Sequence, residues 1–201
     1  MKRYVGAALL SGAVLLPLGR FTLVQSVNWA PLDMPLPDRS VSRQFRVDVP
    51  GRYEVAVRVD RPAGKSSRDE AECLLGFDWV ECEGGDPALA IRWTVESDGG
   101  AVRCGAEPAG TRTVGRRSSD GRFTPAIAER WLGCFDADPR TRYTLRVHPL
   151  SSHAPLQRFN PRVMVLSSDA LNRTQYSTTA AVWLTSLLTG MAGFLLVGSR
   201  R

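Results

Sequence analysis

Lysine and isoleucine are nearly missing from this chain. Only Lys2 and Lys65 occur among 26 basic residues, and Ile91 and Ile127 are the only isoleucines. An arginine-for-lysine and valine-for-isoleucine bias of this kind is the mark of a GC-rich bacterial genome. The net charge of +6 is therefore no sign of a nucleic-acid partner, which calls for basic residues clustered on one face; these arginines are scattered. Histidine is equally scarce, with His148 and His153 alone. No Cys-x-x-Cys pair is present, which excludes the tighter zinc spacings. No Gly-x-Ser-x-Gly elbow is present either, so the sequence offers no serine triad. Gly64-Lys65-Ser66 resembles the end of a phosphate loop, but the glycine required five positions before Gly64 is Val59, and the motif fails. Nothing calls for a cofactor or a metal, and the acidic residues match no EF-hand spacing. The sequence contains no catalytic signature.

Two long stretches lack charge altogether. Residues 4–19 follow the basic start Met1-Lys2-Arg3, and residues 174–199 precede Arg200-Arg201. About 20 apolar residues at roughly 1.5 Å rise span a hydrocarbon core of about 30 Å. The basic start fits a signal peptide, but no Ala-x-Ala cleavage site follows, and Phe21–Val24 extends the apolar run. The expectation is an uncleaved anchor over 1–24 and a second transmembrane helix over 179–199. Lys2-Arg3 and Arg200-Arg201 both place their ends in the cytoplasm by the positive-inside rule. Two crossings then put the middle of the chain in the periplasm of a bacterial inner membrane. In that oxidising space an even number of cysteines favours disulfides. Of three pairings, Cys73–Cys82 closing a short loop and Cys104–Cys134 joining two strands are preferred.

Between the anchors, period-two alternation predicts short half-buried strands. Phe45, Val47 and Val49, then Pro50-Gly51, then Tyr53, Val55, Val57 and Val59 read as a hairpin. Leu89–Val95, Ala101–Cys104, Trp131–Phe135, Tyr143–Val147 and Val163–Leu166 complete the set, with a short helix near Pro125–Arg130. The reading is mainly β: one antiparallel sandwich of Greek-key or jelly-roll kind over 40–167, flanked by the two transmembrane helices. Residues 25–39, with Pro31, Pro35 and Pro37, read as an extended linker, and 168–178 as a second linker. Tyr53 and Tyr143 each open a strand just after a turn, as in a tyrosine corner.

The runs Phe45-Arg-Val-Asp-Val-Pro-Gly-Arg-Tyr53, Tyr143-Thr-Leu-Arg-Val147 and Phe159-Asn-Pro-Arg-Val163 resemble an uncharacterised group of proteobacterial envelope proteins over residues 40–167. That resemblance implies a single β-sandwich carried on a signal peptide or anchor. Some anchored periplasmic sandwiches of similar build act as immunity proteins against secreted toxins.

One local feature stands out. Asp69, Glu70, Glu72, Asp78, Glu81, Glu83 and Asp86 crowd into 18 residues with no basic residue among them, around Phe77 and Trp79. A stapled acidic loop carrying a tryptophan suits an interface in which the aromatic anchors and the carboxylates select a cationic partner. The expectation is a non-enzymatic, membrane-anchored binding protein with a periplasmic protein partner. A glycan-binding module, using Trp79 or Trp131 as a platform, is the second reading. An envelope hydrolase using a carboxylate pair such as Glu81 and Asp86 is the third.

Overall fold

The computed structural model describes residues 27–80, 88–100, 102–105, 107–108, 112–114, 118–168, 177, 180–189 and 191. The chain divides into two compact units, Asn28–Ser168 and a second made of Met1–Val27 with Asp169–Arg201. The expected anchor over 1–24 lies outside the described residues, as does much of 179–199. Within the second unit residues 180–189 are helical. Among the described residues no helix is long and apolar enough to cross a membrane.

Asn28–Ser168 is mainly β, with two antiparallel sheets. In chain order the elements are β1 (Leu32–Pro35), β2 (Val41–Phe45), β3 (Gly51–Asp60), α1 (Lys65–Leu75), β4 (Ile91–Ser97), β5 (Arg103–Cys104) and β6 (Glu107–Pro108). There follow β7 (Arg112–Val114), β8 (Gly121–Phe123), β9 (Ile127–Ala137), β10 (Tyr143–Pro149), α2 (Ala154–Gln157) and β11 (Arg162–Ser167). One sheet runs β1-β11-β3-β9-β8, the other β2-β10-β4-β7, and β5-β6 form a small ribbon. The pairings are nested: β1 with β11, β2 with β10, β3 with β9. The first arm of the chain thus lies antiparallel along the last, wrapping from one sheet to the other.

Alternation correctly identifies which side chains face inward. Ile91, Trp93 and Val95 on β4, Tyr143, Leu145 and Val147 on β10, and Tyr53, Val55, Val57 and Val59 on β3 are all buried. The sheets meet through four rings. Phe45 stacks on Tyr143 at 5.7 Å, and Phe135 meets Phe45, Tyr53 and Tyr143 at 6.0, 5.9 and 5.6 Å. Such pairs add about 1 kcal/mol each beyond the area they bury.

Several expectations are corrected. Phe45 and Tyr53 do not share a hairpin: β2 and β3 belong to different sheets, and Pro50-Gly51 sits in the crossing between them. The linker expected over 25–39 is part of the domain, since residues 32–35 pair with β11. The helix expected near Pro125–Arg130 is the start of β9. The stretch 65–75, read as loop, is helix α1. Its signal was short: Ala71 and Leu75 are buried one turn apart, and Gly76 ends it in the left-handed region (φ 87°). There the Gly76 N–H reaches Cys73 O and the Phe77 N–H reaches Glu72 O, a Schellman closure.

Both tyrosine corners are present. Tyr53 Oη donates to the Val49 carbonyl at 3.0 Å, and Tyr143 Oη accepts from the Asp138 N–H at 2.8 Å. Cys104 and Cys134 are bonded across a separation of 30 residues, pinning the β5–β6 ribbon to β9. Cys73 is also disulfide-bonded; Cys82, its expected partner, lies outside the described residues.

Two predictions follow from these ties. Closing a loop of 30 residues is worth about 3.6 kcal/mol through the unfolded state. Replacing Cys104 and Cys134 together by serine should lower the urea unfolding free energy by about that amount. Burial pushes the Tyr53 phenol from 10.0 up to about 12. The folded state therefore holds this proton where the unfolded chain has lost it. The stabilisation is complete below pH 10 and fades as pH rises toward 12. Tyr53→Phe should cost about 1 kcal/mol at neutral pH for the lost hydrogen bond. It should also flatten the loss of stability between pH 10 and 12, measured by urea melts across that range.

Candidate functional site

The chain enters and leaves the sandwich side by side. The Ser167 N–H donates to the Trp29 carbonyl at 2.9 Å, and Leu32 lies opposite Val165. Gly51 and Ala137 share this end. The other end of the same strands carries Asp60, Ile127 and Phe123, about 30 Å away for a ten-residue strand at about 3.3 Å per residue. Here α1, the 76–80 segment and the β8–β9 turn come together, and most of the expected site residues are found here.

Arg61 organises this distal end. Its Nε and Nη2 both donate to Glu72 Oε1 at 2.7 Å, and its Nη1 donates to the Thr124 carbonyl at 2.9 Å. The guanidinium also lies 5.0 Å from the centre of the Phe123 ring. Glu72 is only 4% exposed. Its second oxygen accepts from Trp79 Nε1 at 3.3 Å. Trp79 stacks on the fully buried Phe77 at 4.2 Å and meets Phe123 at 5.8 Å with the planes 54° apart. Trp79 is 43% and Phe123 53% exposed. The result is a fixed aromatic corner over a neutralised ion pair.

This arrangement changes the reading of the acidic cluster. Glu72 is buried against Arg61 and is not offered to a partner, whereas Glu70 is exposed and ion-paired with Arg158. Phe77 is core. Asp69 is half-buried and Asp78 exposed. Glu81, Glu83 and Asp86 lie outside the described residues. Sequence reasoning missed Arg61 and Phe123, which lie 18 and 44 positions from Trp79 and carry no local motif.

Arg130 buttresses the corner from inside. It is buried and donates from Nη1 to the Leu75 carbonyl at the end of α1, where a cation meets the negative pole of the helix. Burial holds its pKa below the ordinary arginine value. On the neighbouring strand face Glu129 is fully buried between Arg58 and Arg122.

The two histidines come into different settings. His148 is exposed and its Nδ1 contacts Ser40 Oγ. A catalytic serine–histidine pair needs a third group orienting the ring and a water-excluded pocket. Neither accompanies this contact among the described residues. His153 is buried, with Nδ1 3.1 Å from the Ala88 carbonyl. Among the described residues no group of three His, Cys, Asp or Glu side chains is placed to hold a metal ion.

The sequence matches no family model and no curated protein. Among solved structures, one protein from Sulfurospirillum deleyianum is similar at 9% identity and a TM-score of 0.45, covering 69% of this chain and 97% of that one.

Removing Arg61 leaves Glu72 buried without its cation, a loss that typically costs about 3 kcal/mol. Arg61→Ala should show a deficit of that size in urea unfolding. Arg61→Lys should recover only part of it, because an ammonium cannot reproduce the fork and the third bond. A deficit below about 1 kcal/mol would place the pair with ordinary surface ion pairs.

Proposed function

We propose that this chain is a membrane-anchored, non-enzymatic binding protein whose sandwich presents the Trp79–Phe123 corner to an extracytoplasmic partner. The observation that carries this reading is the polarity of the domain. Its entry and exit strands are neighbours at one end, as a domain tethered through both termini requires. The half-exposed aromatic corner lies at the other. Trp79 is held by Glu72 and Phe123 by Arg61, so the rings are pre-organised, which lowers the ordering cost of binding. Large aromatics fixed at a protein surface are the side chains that most often dominate interfaces.

The second anchor is supported by the exposed side chains of the helical segment 180–189 and of Met191. Trp183, Leu184, Leu187, Leu188 and Met191 are exposed there, a display that water penalises and a bilayer does not. With both termini cytoplasmic, the sandwich occupies the periplasm. Protection against a toxin acting in that compartment is one concrete form of the function.

A glycan-binding module is the second reading, and the paired exposed rings favour it. The two are separated by a pull-down with the full-length chain in detergent. Capture of a protein that falls at least tenfold with Trp79→Ala/Phe123→Ala supports the proposal. Retention on cell-wall polysaccharide with no protein captured supports the glycan reading. Undiminished capture by the double variant removes the corner from the binding surface. An alkaline phosphatase fusion after Ser168 that is inactive would overturn the periplasmic placement.

A further inference from the structure

We propose a second site, for a primary ammonium group, in the distal groove between the β1–β2 connection and α2. It goes beyond the aromatic corner and uses none of its residues. The groove has a volume of about 460 Å³ and is walled by Asp38, Leu150, Ser151, Ser152, His153 and Gln157 among others.

Its chemistry is one-sided. His153 Nδ1 faces the Ala88 carbonyl at 3.1 Å. A carbonyl cannot donate, so Nδ1 carries the proton in this contact and Nε2 is an acceptor. That Nε2 is buried with no hydrogen-bond partner among the described residues. Asp38 is exposed and forms no ion pair among the described residues; its Oδ1 accepts from the neutral Gln157 amide at 3.3 Å. Ser152 Oγ is already used, accepting the Ala154 N–H at 3.3 Å, whereas the Ser151 hydroxyl remains available. The lining thus supplies an exposed carboxylate and hydroxyl and, in the buried His153, an unpartnered imidazole nitrogen, with one negative charge and no cation. An ammonium brings three N–H donors and no acceptor, which is the complementary set. Leu150, 43% exposed, supplies an apolar flank for the alkyl chain that carries it. A metal ion fits less well, since hard cations require more oxygen ligands than one carboxylate provides.

The shared chemistry has two sources, a free alkylamine or a lysine side chain of a protein. The test is a titration of the full-length, isotope-labelled chain in detergent, followed by amide shifts. The probes are n-butylammonium, tetramethylammonium and Nα-acetyl-lysine methylamide. The expected result is saturable shifts at residues 38 and 150–157 with the two primary ammonium probes. Tetramethylammonium, of equal charge but without N–H donors, should bind about tenfold more weakly. Asp38→Asn, an exposed change that leaves the core intact, should weaken n-butylammonium about tenfold, while Trp79→Ala should leave it unchanged. Tighter binding of the lysine amide assigns the site to a protein side chain; tighter binding of n-butylammonium assigns it to a free amine. Equal binding of tetramethylammonium, no loss with Asp38→Asn, or no saturation at tens of millimolar would overturn the proposal.

Discussion

The antiparallel pairing of β1 with β11 is the constraint from which the rest follows. It puts Leu32 opposite Val165 and Pro35 opposite Arg162, so the two ends of the domain are fixed together at one edge of one sheet. The next pairings inward, β2 with β10 and β3 with β9, extend the same antiparallel relation. Each pairs residues far apart in sequence, so the loop-closure cost is met by nested contacts in series, each shortening the loop left for the next. The four-ring cluster of Phe45, Tyr53, Phe135 and Tyr143 sits where these arms cross between the sheets. The two tyrosine corners then tie the crossings to the backbone beside the same rings.

The opposite end is built on different principles. There the strands stop, and the sheet ends are covered by α1, α2 and short loops held through charges and carbonyls. Arg61 ties α1 to the β8–β9 turn, Arg158 ties α2 to α1 through Glu70, and Arg130 reaches the last turn of α1. Arginine suits these places because its planar fork makes several directed bonds at once. The abundance of arginine, compositional in origin, has been put to structural use at this end. Two carboxylates of the expected recognition surface, Glu72 and Glu70, are partners of these arginines.

How much of this was legible in the sequence follows from what each signal encodes. Alternation encodes which face of a strand is buried, and it placed Tyr53, Val55, Ile91, Trp93, Leu145 and Val163 in the core correctly. It does not encode which strand lies alongside, so Pro50-Gly51 looked the same whether it closed a hairpin or carried the chain between sheets. At the start of β9 the period fails because Glu129 and Arg130 are both buried, each on its own side of the strand and each held by polar partners. Two adjacent charged residues give no alternation there, so Pro125–Arg130 reads as a short helix while Trp131–Phe135, later in the same strand, reads as strand. In α1 the apolar stripe is reduced to Ala71 and Leu75, while Glu72 is buried by an ion pair that sequence spacing cannot reveal. Cys104–Cys134 was readable because compartment and count narrowed it to few pairings. Phe123 was not, because an exposed phenylalanine acquires meaning only through its spatial neighbours.

The last step concerns selectivity. A cluster of seven carboxylates suggests a cation-seeking surface only while its charges are unspent. Of the four carboxylates that the structure describes, Glu72 is internal, buried against Arg61, while Glu70 is bridged to Arg158 at the surface. An internal pair contributes little field at the surface, because the two opposite charges nearly cancel over a few ångströms. The half-exposed Trp79–Phe123 corner therefore rests on a pair whose charges nearly cancel, with the exposed Asp78 beside it. A carboxylate without a counter-charge attracts more strongly than several that are paired. Among the residues gathered at this end, Asp38 is of that kind, and it stands beside a buried histidine acceptor. If both proposed sites act, charge selection and apolar anchoring fall on different parts of one end, and a partner that used both would have to span them.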